Sequence, residues 1–172
     1  IEHPEVLLDI HRRYFEAGAD IVMANTFGAN RLKLGDCGYT PEQVITAAVQ
    51  TARRAGQGLV ALDIGPTGKL LAPLGDLDFD DAVDVFAEMV RAGAAAGADV
   101  VHIETMSDLY ELKAAVLAAK ENASLPVFAT VVFDEKGKLL TGGSIACVVA
   151  LLEGLGVDAI GINCGLGPIQ MK

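Results

Sequence analysis

The sequence contains no tryptophan, few aromatic residues and a shortage of basic side chains. Of its 172 residues, 13 are Lys or Arg and 23 are Asp or Glu, which gives a formal net charge of −10. Such a charge disfavours binding to nucleic acid or to an anionic membrane, so neither is expected as a partner. No apolar run approaches the roughly 20 residues of a membrane helix, and no signal peptide is recognisable.

Cysteine is also scarce, and the motifs of common metal sites are absent. The three cysteines (Cys37, Cys147 and Cys164) lie far apart and are odd in number. A disulfide framework is therefore not expected, and the reducing cytoplasm is the expected location. Without a CxxC, an HExxH or a paired histidine, local spacing completes no metal site. Cys37 and Cys147 are interpreted as incidental.

What the sequence does contain is a repeated pattern. Three copies begin at Ala17, Ala96 and Leu155, and read AGADIVMANTFG, AGADVVHIETMSD and LGVDAIGINCGLG. In each copy a helix ends at glycine, an aspartate follows, and an apolar strand leads into a polar turn. Two further apolar runs begin at Leu59 and Leu125, as expected for parallel strands covered on both faces. Helical periodicity between them predicts five α-β units and five parallel strands.

Five strands fit two α/β folds, a flavodoxin-like doubly wound sheet and part of a (β/α)8 barrel. A barrel needs eight strands and typically ~250 residues. The sequence starts with a helix that has no strand before it, and it stops directly after a strand. Both features favour a partial (β/α)8 TIM barrel. We then expect unpaired sheet edges at residues 21–24 and 159–163, which could pair with a second copy of the chain in a dimer.

Polar side chains gather at the predicted carboxyl ends of these strands, where parallel α/β proteins place their chemistry. Lysine and arginine are missing from this set, which suits a small zwitterionic or cationic substrate better than a phosphate ester. Each residue also has a purely structural interpretation, because carboxylates can bond loop amides and a free cysteine is often buried. The candidates are Asn25, Thr26, Asp63, Glu104, Asn163 and Cys164.

Five of these strand-end motifs together resemble a known family. In order they read ANTFGANRLKL, DIGPTG, ETMSDLYELKAAVLAA, FDEKGKLLTG and DAIGINCGLGP. They are similar to the homocysteine-binding domain of bacterial cobalamin-dependent methionine synthases, within the zinc-dependent homocysteine S-methyltransferases. The resemblance covers essentially the whole chain, and each motif falls on a predicted strand end or its turn.

The resemblance implies a (β/α)8 barrel that binds zinc through three cysteine thiolates and methylates the thiolate of homocysteine to give methionine. Cys164, in the NC motif, matches the first thiolate and is the candidate catalytic and metal-ligating residue. Glu104 matches a carboxylate expected to bind the substrate ammonium. The candidates for the rest of the substrate pocket are Asn25, Thr26, Asp63 and Asn163. The methyl group is expected from methylcobalamin, carried by another domain and recharged by methyltetrahydrofolate.

In that family the other two thiolates form an adjacent Cys-Cys pair, which this sequence lacks. We therefore expect residues 1–172 to be an incomplete homocysteine-binding domain covering strands two to six, inactive alone and without high-affinity zinc. Three alternatives remain open. The enzyme could use betaine or S-methylmethionine as methyl donor. The chain could be a non-catalytic flavodoxin-like binding domain. It could also be a different barrel enzyme, such as a metal-free lyase, in which Cys164 only packs.

Overall fold

A computed structural model describes residues 1–171 of the chain and confirms the predicted alternation of helices and strands. The helices are α1 (Pro4–Glu16), α2 (Arg31–Leu34), α3 (Pro41–Ala55), α4 (Phe79–Ala96), α5 (Leu109–Asn122) and α6 (Ile145–Gly154). The strands are β1 (Ile21–Met23), β2 (Leu59–Ile64), β3 (Val100–Met106), β4 (Val127–Val131) and β5 (Ala159–Ile162). The short α2 is the one helix here that the α-β pattern does not require.

The five strands form one parallel sheet in the order β1-β2-β3-β4-β5. Each strand therefore pairs with the next strand along the chain, across a helical crossover. A flavodoxin-like sheet has the order 2-1-3-4-5, so the flavodoxin-like alternative is wrong. Sequential order is the order of a (β/α)8 barrel, and the predicted partial barrel is confirmed with five of its strands.

The two faces of the sheet differ in chemistry because side chains alternate along each strand. One face is fully buried against the helices, with Leu62 and Ile103 packed among residues such as Phe86 and Met89 of α4. The opposite face carries half-buried polar side chains, among them Glu104. This second face corresponds to the inside of a barrel, and it leads to the strand ends where the candidate residues lie.

Helix caps fix the turns that follow the strands. The side chain of Asp108 caps α5 by accepting a hydrogen bond from the Glu111 N–H at 2.7 Å. The buried Glu111 carboxylate in turn accepts a hydrogen bond from the Thr67 N–H at 2.7 Å, in the turn after β2. The turns after β2 and β3 are thus tied to the same helix. None of the helices within residues 1–171 is both long and apolar enough to span a membrane.

Candidate active site

Two carboxylates and an imidazole meet at the carboxyl ends of the central strands. Asp63 of β2 lies beside His102 of β3 in the parallel register, and Glu104 follows His102 on the same face. One potential ligand atom of each residue lies within 4.8 Å of those of the other two. Asp63 is 6% exposed, while the other two are half-buried. We call these three residues the acid cluster.

The acid cluster holds its charges in unusual states. Burial, the negative charge of Glu104 and a hydrogen bond with that carboxyl together raise the pKa of Asp63 to about 7, with burial the largest cause. Burial lowers the pKa of His102, against an opposing effect of Glu104, so the imidazole is neutral at neutral pH. The buried Oδ1 of Asp63 accepts no hydrogen bond from any group in residues 1–171. A site with a shared proton and an unsatisfied carboxylate oxygen is suited to a cationic group.

A β-bulge in β3 sets the direction of Glu104. Ile103 pairs with Ala129 and Met106 pairs with Val131, so three residue steps on β3 face two on β4. Within the bulge Thr105 has φ +62°, a left-handed conformation that is rare for a β-branched residue. Bulges next to active sites commonly redirect a side chain. Here the bulge places Glu104 and Thr105 opposite the end of β5.

Asn163, directly after β5, connects the acid cluster to Cys164. Its Nδ2 lies 3.1 Å from Glu104 Oε2 and 3.4 Å from Cys164 Sγ. Its Oδ1 accepts hydrogen bonds from the Thr105 N–H and the Thr130 hydroxyl, both at 3.1 Å. Asn163 is therefore bonded to residues of β3, β4 and the turn after β5 at once.

Cys164 is an exposed thiol at the end of the edge strand β5, with φ +55°. It lines a groove of about 650 Å³ together with the turn after β4, which includes Phe133 and Lys138. Cys37 and Cys147 are exposed in other parts of the fold. The acid cluster is the one group of three or more potential metal-ligating side chains found within residues 1–171, and Cys164 is not part of it.

The remaining two candidates lie on the other side of Asp63. The buried Thr26 hydroxyl donates to the Asp63 carbonyl at 2.8 Å and accepts from the Asp63 N–H at 3.0 Å, so it holds the backbone of β2. Asn25 is exposed and lines a cavity of about 460 Å³ with Met23 and Asp63. Direct contact with substrate remains a prediction for both residues.

His102, in the interior of β3, was not among the candidates predicted from the sequence. The signal was present, because His102 and Glu104 are two residues apart and therefore share a face of β3. Thr105 and Thr130 were also missed. Their bonds to Asn163 depend on the bulge and on strand register, and neither feature has a local sequence signal.

Comparison with known proteins identifies the family of this fold and strand-end cluster. The family model described as homocysteine S-methyltransferase matches residues 1–172. The chain belongs to the homocysteine S-methyltransferase family. A methionine synthase of Mycobacterium leprae is 39% identical to it over 184 residues, and one of Mycobacterium tuberculosis is 38% identical. These alignments cover 98% of this chain but 15% of each relative, so the chain spans about 15% of their length.

Solved structures give the same result. The metallated form of the homocysteine methyltransferase MmuM from Escherichia coli superimposes with a TM-score of 0.84 at 26% identity, covering 99% of this chain and 66% of that chain. The oxidized form of the same enzyme has a TM-score of 0.77 at 28% identity, covering 95% of this chain and 63% of that chain. A putative phosphonomutase from Burkholderia cenocepacia reaches a TM-score of 0.56 at 17% identity over 95% of this chain and 68% of its own, which shows a shared fold alone.

Proposed function

We propose that residues 1–172 are an incomplete homocysteine-binding domain of a zinc-dependent homocysteine S-methyltransferase of the methionine synthase type. Homocysteine carries an ammonium group at one end and a thiol at the other. The acid cluster offers a cation site, and Cys164 offers a thiolate ligand on the far side of Asn163. This pairing of a cation site with a thiol site is the observation that supports the proposal.

The acid cluster binds the ammonium group of homocysteine. Glu104 is the principal acceptor, and the unsatisfied Oδ1 of Asp63 is the second. A bound ammonium places a positive charge between the two carboxylates, which favours the ionised form of Asp63 and releases the shared proton. The neutral His102 borders the site without repelling the ammonium.

Cys164 supplies one thiolate to the zinc, and the other two come from outside residues 1–171. Zinc held by three thiolates would have a fourth position for the homocysteine sulfur and would favour its thiolate form, the nucleophile that accepts the methyl group. The Nδ2 of Asn163 points at Cys164 Sγ and stabilises negative charge there. Because zinc sites depend on their full ligand set, this chain alone is expected to hold zinc weakly and to be inactive.

The methionine synthase relatives support methylcobalamin as the methyl donor. The donor is carried by a separate domain, which is the partner of this one, and methyltetrahydrofolate recharges it. Betaine or S-methylmethionine is the alternative methyl donor. Location in the cytoplasm and a dimer formed through the sheet edges also remain predictions.

Zinc content of the full-length gene product tests this proposal. The wild-type protein should contain about one zinc per chain, and Cys164→Ser should lose it, because a thiolate ligand cannot be replaced by a hydroxyl. Cys37→Ser and Cys147→Ser are matched controls that should keep the metal. Retention of zinc by Cys164→Ser at the wild-type level would show that the assignment is wrong.

A further inference from the structure

We propose that Asn163 is a positioning residue that fixes the separation between the ammonium and thiol ends of the bound amino acid. It thereby sets the preference for homocysteine over cysteine, which is shorter by one methylene. This inference rests on the proposed function, because it assigns the two ends of the ligand to the acid cluster and to the Cys164 side. It differs from the sequence-based prediction that Asn163 contacts substrate directly.

The orientation of the Asn163 amide is fixed by its surroundings. The Thr105 N–H can only donate, so the oxygen of the amide must face it, and Oδ1 also accepts from the Thr130 hydroxyl. The nitrogen must then point toward Glu104 and Cys164. Both lone pairs of Oδ1 are used within the protein, which leaves no acceptor for a ligand.

The nitrogen of the same amide contacts both halves of the site. Its two hydrogens are shared among three acceptors: Thr105 Oγ1 at 2.8 Å, Glu104 Oε2 at 3.1 Å and Cys164 Sγ at 3.4 Å. One rigid planar group therefore holds the ammonium-binding carboxylate and the thiolate ligand relative to each other. A ligand would find no free N–H on it, so Asn163 acts through its neighbours.

The backbone around this amide adopts conformations that need support. Thr105 and Cys164 are the non-glycine residues with positive φ within residues 1–171, and both are hydrogen-bonded to Asn163. Strained residues of this kind persist only where surrounding contacts hold them. Asn163 thus maintains the bulge that aims Glu104 as well as the turn that presents Cys164.

A fixed separation between two recognition points discriminates by length. Removing one methylene shortens an extended amino acid by roughly 1.3 Å, the projection of one C–C bond on the chain axis. Cysteine then cannot place its ammonium at Glu104 and its sulfur beside Cys164 in unstrained form. Discrimination of one methylene by an apolar pocket is typically 10- to 200-fold. A change in selectivity of this size, caused by loss of the fixed separation, can be measured as a change in dissociation constants.

The test compares Asn163→Asp with Asn122→Asp in the full-length gene product. Aspartate keeps an oxygen at Oδ1 but loses both N–H donors and adds a negative charge next to Glu104. Asn122 offers the matched change on α5, where its amide bonds Arg91 and the Ala118 carbonyl. Calorimetry gives the dissociation constants of L-homocysteine and L-cysteine. We expect the ratio of the cysteine dissociation constant to the homocysteine dissociation constant to fall by about tenfold in Asn163→Asp, as for the loss of a charged hydrogen bond, and to be unchanged in Asn122→Asp.

Alkylation of the metal-free protein gives a second readout that needs neither zinc nor substrate. Iodoacetamide treatment followed by peptide mass mapping reports Cys164, Cys37 and Cys147 separately, and all three thiols are exposed. Asn163→Asp should slow alkylation at Cys164 several-fold, since the N–H that stabilises negative charge on Sγ is lost. The other two cysteines should react at the wild-type rate and serve as internal references.

Two results would overturn the inference while leaving the proposed function intact. One is an equal loss of affinity for both amino acids with the selectivity ratio preserved, and the other is an unchanged alkylation rate at Cys164. A wild-type protein that does not prefer homocysteine would overturn the proposed function and this inference together. If Asn163→Asp does not fold, Thr130→Val takes its place. It removes one of the two donors to Oδ1 and should lower the ratio by a smaller factor.

Discussion

The two halves of the candidate site are built on different parts of the sheet. The acid cluster lies on β2 and β3, which have strand neighbours on both sides, and Asp63 is almost fully buried there. Cys164 follows β5, an edge strand in the described residues, where Ile160 and Ile162 are 43% and 41% exposed. All three residues of the proposed ammonium site thus lie within residues 1–171, whereas the proposed thiol site has one of its three expected ligands there. The two halves should therefore respond differently to mutation.

Glu104→Gln should have the largest effect on ligand binding. It removes the negative charge that we propose binds the ammonium group of homocysteine, and loss of one partner of a hydrogen-bonded charge pair costs about 2 kcal/mol or more. We expect the dissociation constant of homocysteine to rise by about 30-fold or more in the full-length protein, measured by calorimetry. Glu121→Gln, at the exposed end of α5, is the control. Equal affinity for homocysteine in Glu104→Gln and wild type would show that Glu104 does not bind the ligand.

Asp63→Asn should change how stability depends on pH. The folded-state pKa of Asp63 is about 7, above its value in the unfolded chain, so the folded state holds the extra proton between about pH 4 and 7. Stability contributed by Asp63 therefore falls as pH rises through this window, by at most about 1.4 kcal/mol per pH unit. Asparagine cannot ionise. The variant should gain stability relative to wild type as pH rises from 5 to 8, measured by chemical denaturation.

Asp158 provides a control, because its contribution to stability changes with pH in the opposite direction to that of Asp63. The Val127 N–H and Lys120 lower the pKa of its carboxyl, so its contribution to stability is present above the unfolded pKa and is lost as pH falls. Asp158→Asn should therefore lose stability relative to wild type at neutral pH and approach it in acid. A pH-independent difference for Asp63→Asn would show that the acid cluster does not share a proton.

Ser144→Ala should have the smallest effect and should leave the candidate site untouched. Ser144 caps α6, and its hydroxyl donates to Cys147 Sγ at 3.2 Å, which lowers the pKa of that thiol. Removing the hydroxyl should raise the pKa of Cys147, slow its alkylation and reduce stability by about 1 kcal/mol through the lost cap. Alkylation of Cys164 should not change. A matching change at Cys164 would mean that the two thiols are coupled through α6 and β5.

The strands, their parallel arrangement and the positions of Glu104 and Cys164 near strand ends could be predicted from the sequence, because apolar runs and polar turns are local signals. His102 was missed although its spacing from Glu104 carried the information. The hydrogen bonds of Asn163 could not be predicted from the sequence, because its partners Thr105 and Thr130 come together through a bulge and through the register of three strands. Register is decided by packing of the whole sheet, which no short motif encodes.

The central claim is that the acid cluster binds the ammonium of homocysteine while the thiol is held on the other side of Asn163. Calorimetry with homocysteine and with 4-mercaptobutanoate, which lacks the amino group, tests it on wild type and Glu104→Gln. Wild type should prefer homocysteine by about 30-fold, and Glu104→Gln should bind both ligands within about threefold, because the interaction is lost with either partner. A Glu104→Gln protein that keeps the wild-type preference would contradict the account.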